Sequence, residues 1–494
     1  MGSHRLSERA AFRETDRAFA TSLVMTTPAR TALGDEMDAG AVSAREPVAA
    51  PIALSSDATS VSREERLATA LFVVAPVLAV HWDARAGFGA HAALKASFAI
   101  AFGIAATSSA RRALAVSRVV LVLGAAALLA AFGAFARGAT GREVLVALAA
   151  PGLLFLAHAI AHDPERRRVA LQAAVVGAML AAGVAALEIF WVELPWSHVR
   201  RPESTLVNRN FLAHYLAATL PLLVAPGALA AASLPGSAGR ASAFDRAPFV
   251  REALRLAGVT LFAFVLLVTR CRAAWLAIGL TAVVAVFVIR RVPFARSTFR
   301  TAGAIVCGVC IALLPNRLVF NDGLAAVASR LVEHDQGSGA GRIAQAKVGI
   351  VLGGRDVLLG AGLGGWRRSL ARAPELLAGM PRDVGMTPSS DLVRAFVEGG
   401  LPGALSLAAS FVVLAWTFCR ARGTAMASAP LATGFVLAII AVVDAPLFRP
   451  ETALLFGVAL AAVPSRGPAV VVPRKVAFLF GAILIGCVIE VLPP

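Results

Sequence analysis

Arginines and carboxylates interrupt this apolar sequence at only a few places, and their types and spacing suit phosphate chemistry. Arg200 and Arg201 open a stretch that runs through Asn208-Arg209-Asn210 to an apolar segment beginning at Phe211. Thr269-Arg270-Cys271-Arg272 separates two further apolar runs, and Gly339-Ala-Gly341-Arg342 lies in a long, more polar stretch. A guanidinium stays charged and binds phosphate oxygens through two parallel hydrogen bonds, so these clusters suit pyrophosphate recognition. The competing role is structural, with each arginine reaching to lipid head groups. A second polar set is Asp391, Arg394 and Glu398, spaced i, i+3 and i+7 so that a helix presents them on one face. That stripe enters an apolar segment, where carboxylates are rare without a role.

Other motifs carry less. Gly360, Gly362 and Gly365 fit a G-x-G-x-x-G pattern, but a dinucleotide site needs a strand before it and a parallel sheet around it, which the flanking sequence does not offer. His158 and His162 have metal-ligand spacing with no third ligand nearby, and read as an interfacial pair. No metal or cofactor is expected. Cys307 and Cys310 could share a helix face, yet two thiols do not make a zinc site, so the cysteines of the apolar runs read as buried small side chains.

The elements that must position these residues follow from composition. Of 494 residues 58% are apolar and 16% charged, with a mean hydropathy of +0.75. Soluble domains are less apolar and carry about 25% charged residues. The expected fold is therefore an all-α, polytopic transmembrane helical bundle of about 12–13 helices with one large periplasmic loop. Thirteen apolar segments lie near 67–82, 88–107, 113–136, 143–161, 169–192, 211–231, 256–269, 273–289, 301–315, 398–419, 428–446, 452–463 and 476–492. They divide the chain into a disordered cytoplasmic tail over 1–66, helices over 67–315, a loop over 316–397 and C-terminal helices over 398–494. The net charge of +17 resides in short loop clusters rather than a basic stripe with stacking aromatics, which argues against nucleic acid. With the tail inside, Arg166-Arg167-Arg168 and Arg290-Arg291 fall in cytoplasmic loops, as the positive-inside rule requires. The 316–397 loop and the three arginine clusters then face the other side. A connection of roughly eighty residues is too long to be idle.

Four blocks in this order resemble the bacterial O-antigen ligase and O-antigen polymerase superfamily. They are Arg201 to Leu220 with Asn208 and Asn210, Thr269 to Leu276 around Arg272, Gly341-Arg342 through Leu359-Gly-Ala-Gly-Leu-Gly-Gly-Trp366, and Ser389-Ser-Asp391 through Glu398-Gly-Gly-Leu-Pro-Gly403. The resemblance implies an inner-membrane glycosyltransferase with a cytoplasmic N-terminus. Its donor would be an undecaprenyl-pyrophosphate-linked glycan and its acceptor lipid A core, another glycan or a protein hydroxyl. It also implies that Arg272 and Arg342 hold the diphosphate without a metal, with Arg201, Asn208 and Asn210 in the same site.

The chain departs from that pattern at Ser389, which stands where the family has a histidine that serves as base or orients the acceptor. A hydroxyl is not basic near neutral pH. Asp391 or Glu398 then takes the role, or His198, His214 or His334 reaches in from another block, or the protein is a catalytically degenerate scaffold. A polymerase of the same superfamily is a further alternative. The competing class is a polysaccharide transporter or flippase, against which stand the lack of an internal repeat and the placing of the polar residues at one membrane face.

Overall fold

A computed structural model describes residues 61–85, 114–190, 204–206, 208–225, 247–289, 296–313, 338–377, 388–421, 425–464 and 470–472. The apolar segments 88–107 and 476–492, nearly all of the 1–66 tail, and Arg201, His198, His334 and Cys487 lie outside these residues. The helices are α1 (Arg63–Arg85), α2 (Arg118–Ala136), α3 (Gly141–Ala161), α4 (Pro164–Phe190), α5 (Arg209–Val224), α6 (Ala247–Thr269) and α7 (Arg272–Ile289). They continue with α8 (Arg296–Leu313), α9 (Ser338–Gly354), α10 (Trp366–Ala371), α11 (Asp391–Arg420), α12 (Ala425–Val443) and α13 (Pro450–Leu460). Each of the eleven apolar segments within the described residues meets a helix. Among the described residues four helices, α2, α4, α6 from Phe249 and α11, are long and apolar enough to cross a bilayer, and shorter apolar helices stand among them. The protein is an all-α, multi-pass membrane protein.

Local sequence fixes where several helices start. Thr140 and Glu143 form a reciprocal capping box at α3. The side chains of Asn208 and Ser390 cap α5 and α11. Pro164 and Pro450 occupy first positions of α4 and α13, where a missing N–H costs nothing. Lipid removes the hydrophobic drive between helices, so small residues that admit close approach hold them together. The buried face of α4 is an alanine row, Ala170, Ala173, Ala174, Ala178, Ala181, Ala182 and Ala185. A side chain on Gly457 of α13 would overlap the Leu154 backbone of α3, and one on Gly308 of α8 the Thr260 backbone of α6. Exposed Phe132, Phe287 and Trp416 would be anomalous in water and suit acyl chains.

Several boundaries differ from those read in the sequence. Helix α1 starts at Arg63, inside the stretch assigned to the tail. Helix α2 starts at Arg118, because Leu114–Val116 pairs antiparallel with Val470–Val472. Pro468 and Pro473 bracket the second strand and prevent a helix there. Cys307, Cys310 and Cys419 are exposed, and only Cys271 of the described cysteines is buried. Their helix faces turn outward, where a small apolar side chain meets lipid.

The stretch assigned to one long loop holds α9 and α10, and α11 begins at Asp391 rather than 398. Helix α11 kinks at Gly400, whose φ of 61° lies in the left-handed region. The backbone groups around the kink are met by the loop after α9: Leu401 N–H donates to Val357 O and Ala361 N–H to Val397 O, both at 2.7 Å. Leu363 N–H donates to Ala130 O of α2 at 2.9 Å. The glycines of Gly360-x-Gly362-x-x-Gly365 therefore serve close backbone docking, since a Cβ on Gly360 would fall on the Gly400 amide. Val348, Leu352, Trp366, Leu370, Ala373 and Val397 form a small core that ties α9 and α10 to α11.

Candidate functional site

Five helices present their N-terminal ends to one region of the bundle. Arg449, the N-cap of α13, lies over the Phe211 ring in the first turn of α5, 3.7 Å from its centroid. His214, one turn along α5, neighbours Cys271, the residue before α7. Asp391, the first residue of α11, donates its backbone N–H to the carbonyl of Asp444, just beyond α12, at 3.3 Å. Arg342, near the start of α9, reaches the same Asp444, Nη2 to Oδ2 at 2.6 Å. Helix N-termini carry partial positive charge and free N–H groups, so their convergence with arginines favours an anion.

Asp444 is the hub of the polar contacts. Besides Arg342, its Oδ2 lies 3.3 Å from His214 Nε2, an ionic contact without good hydrogen-bond alignment. Burial pushes its carboxyl up, but His214, Arg342 and the Ala445 N–H outweigh this and hold it below the usual carboxylate range. His214 is wholly buried, whereas the Asp444 side chain keeps 15% of its exposure. Glu451 is buried, with one carboxylate oxygen lacking a hydrogen bond among the described residues.

The residues expected from sequence divide into three places. Ser389, Ser390 and Asp391 sit at the hub: Ser389 Oγ donates to Arg342 O at 3.4 Å, and Ser390 Oγ to Ala441 O at 3.2 Å. Asp391 Oδ2 accepts the Leu447 N–H at 2.8 Å. Glu398 lies deeper on α11, paired with Arg394 at 3.1 Å. Asp391, Arg394 and Glu398 line one side of a cavity of about 170 Å³, whose other walls are Ala126, Ala127 and Ala130 of α2 and Ala147, Pro151 and Phe155 of α3. The stripe on one helix face is thus present, with its first member at the hub. Arg272 is exposed at the start of α7, after a tight turn in which Arg270 takes a φ of 54°. Asn208 and Asn210 are engaged locally, Asn208 Oδ1 accepting the Asn210 N–H at 2.8 Å.

Asp444, Arg449 and Glu451 were not singled out from the sequence. The signal was Asp444-Ala-Pro and Arg449-Pro-Glu451, polar residues with prolines in the short break between two apolar runs. His158 is buried and accepts the Ser117 N–H on Nε2 at 3.1 Å, which makes it a structural residue of the α2 start. Among the described residues no group of three or more His, Cys, Asp and Glu side chains is placed to hold a metal ion.

No curated protein matches the chain. Residues 257–408, which include Arg272, Arg342, the docked glycine loop and the Asp391–Glu398 stripe, match the family model described as O-Antigen ligase, and the match supports membership in the O-antigen ligase superfamily.

Proposed function

We propose that this chain is a membrane glycosyltransferase of the O-antigen ligase type. It transfers a glycan from undecaprenyl pyrophosphate to a hydroxyl acceptor on lipid A core, another glycan or a protein. The reaction takes place at the periplasmic face of the inner membrane, with the N-terminus in the cytoplasm. The observation that carries the reading is the meeting of Arg342, Arg449 and five helix N-termini around Asp444, with Arg272 at the head of α7. Such a site suits a diphosphate, whose charge grows as it leaves. The acceptor oxygen forms a bond to the anomeric carbon, and the bond from that carbon to the diphosphate breaks. The electron pair goes to the leaving group, where arginines stabilise it through charge-assisted hydrogen bonds. The apolar cavity beside the Asp391–Glu398 stripe suits the hydrocarbon part of a lipid-linked substrate. The loop charge pattern supports the orientation: Arg166 to Arg168 stand at the start of α4, and Arg167 reaches the Ala461 carbonyl at the end of α13 opposite its Arg449 cap, the side that the positive-inside rule makes cytoplasmic.

A deletion strain examined for surface polysaccharide on a gel tests the reading. The expected result is loss of the glycan from its acceptor with accumulation of the lipid-linked donor. An unchanged gel with no donor accumulation sinks it.

A further inference from the structure

We propose that Asp444 accepts the proton of the acceptor hydroxyl, filling the place left by a histidine at position 389, and that His214 is its positioning residue; this rests on the glycosyl-transfer reading above.

The geometry singles out one carboxylate. Ser389 stands against Arg342, and Arg342 against Asp444. The bonds from Asp391 N–H to Asp444 O and from Ser390 Oγ to Ala441 O fix residues 389–391 along the end of α12. Among the described residues Asp444 is thereby the acidic side chain that meets the neighbourhood of position 389 and still reaches solvent. Asp391 is 5% exposed with its oxygen committed to Leu447, and Glu398 is 4% exposed and held by Arg394. His214, at 0% exposure, touches no substrate, but it holds the carboxylate from behind.

The ion pair with Arg342 gives the step an order. In the empty site Arg342 neutralises Asp444. A bound diphosphate draws that guanidinium to its own oxygens, and Asp444, left with His214, becomes more basic as the donor arrives. The acceptor O–H proton then passes to Asp444, the acceptor oxygen bonds to the anomeric carbon, and the carbon–oxygen bond to the diphosphate breaks with its electron pair leaving on phosphate. The charged or titratable groups that act on this carboxylate are His214 from α5, Cys271 beside α7, Arg342 from α9 and Asp391 from α11; Arg394 acts in turn on Asp391, and Glu451 of α13, beside Arg449, on His214.

The test separates donor binding from proton transfer. Full-length protein in lipid nanodiscs is titrated with farnesyl diphosphate, and transfer is assayed with donor lipid extracted from the deletion strain. Asp444→Asn is expected to bind farnesyl diphosphate at least as well as wild type, because Arg342 is released, while transfer falls by roughly a hundredfold or more, the usual contribution of a general base. His214→Gln is expected to keep diphosphate binding and to displace the acid limb of the pH–rate profile, which a packing role would leave in place. Asp444→Asn with transfer within about threefold of wild type overturns the proposal. Should Asp444→Asn fail to accumulate, Asp444→Glu carries the test through its pH–rate profile: a moved acid limb supports the base, and an unmoved one overturns it. Wild-type protein that neither binds farnesyl diphosphate nor transfers glycan overturns the glycosyl-transfer reading itself, whatever Asp444 does.

Discussion

Gly360→Ala measures how far the docked glycine loop holds the site. Gly360 has a φ of 64°, where an alanine costs about 1–2 kcal/mol. Its added Cβ would also meet the Gly400 amide and the Glu398 carbonyl, which are backbone and do not swing aside. The loop must move, and the bonds from Leu401 to Val357 and from Ala361 to Val397 go with it. At about 0.5–1.5 kcal/mol net for each bond, the total loss is about 2–5 kcal/mol. The control is Gly183→Ala in the interior of α4, where nothing lies within 4 Å of the new methyl group. Relief of glycine's backbone entropy should stabilise that variant by about 0.5–1 kcal/mol. Both proteins are heated in one detergent at one scan rate, since unfolding of such a protein is read kinetically. The expected order of apparent midpoints is Gly183→Ala, wild type, then Gly360→Ala, with transfer lost in the last at temperatures where it remains folded. Gly360→Ala melting with wild type would refute the idea that the loop braces the α11 kink.

Arg342→Ala and Arg272→Ala should each lower transfer at least about tenfold, since a lost hydrogen bond to a charged group costs about 1.5–3 kcal/mol. The corresponding lysine variants should recover only part of it, and surface polysaccharide at matched expression is the check. Asp391→Asn should cost far less transfer per folded molecule than Asp444→Asn, because an amide oxygen still accepts the Leu447 N–H. Glu398→Gln should lower stability, by up to about 3 kcal/mol, more than transfer, because it removes the charge that Glu398 sets against Arg394 in a half-buried place. Ser389→His placed in the Asp444→Asn background should restore transfer at least about tenfold, since it returns a base to the wall beside Arg342. Failure of that rescue in folded protein would separate position 389 from the proton path.

The helices were legible because a bilayer demands runs of apolar residues, and each described helix that spans or nearly spans contains one. What ended those helices was harder to read. The pattern that separates helix from strand is weak over three residues, so Leu114–Val116 was absorbed into α2. The same smoothing hid the hub. The apolar window over 428–446 absorbs Asp444, and Arg449 and Glu451 fall in the seam before the next window begins at 452. Arg342 and Asp391 were found because arginine and aspartate stand out in type and lie in the family blocks. Their shared partner is 102 residues from one of them and comes together with it only through the packing of α9, α11 and α12. No spacing rule along the chain records that contact.

Charge at the hub argues for a site that waits for its donor. Arg342 is spent on Asp444, His214 lies against the same carboxylate, and Arg449 is stacked on Phe211 beside Glu451. On the proposed reading, a diphosphate therefore gains less from Arg342 in the ground state than a free guanidinium would give it. The contact strengthens as charge develops on the leaving phosphate, while the proton that Asp444 takes up keeps it from drawing Arg342 back. A cation bound more tightly to the transition state than to the ground state raises the rate rather than the affinity. A site with the arginine unpaired would bind donor more tightly and turn it over more slowly. Asp444→Asn creates that site, which is why tighter diphosphate binding and slower transfer must appear together in that one variant.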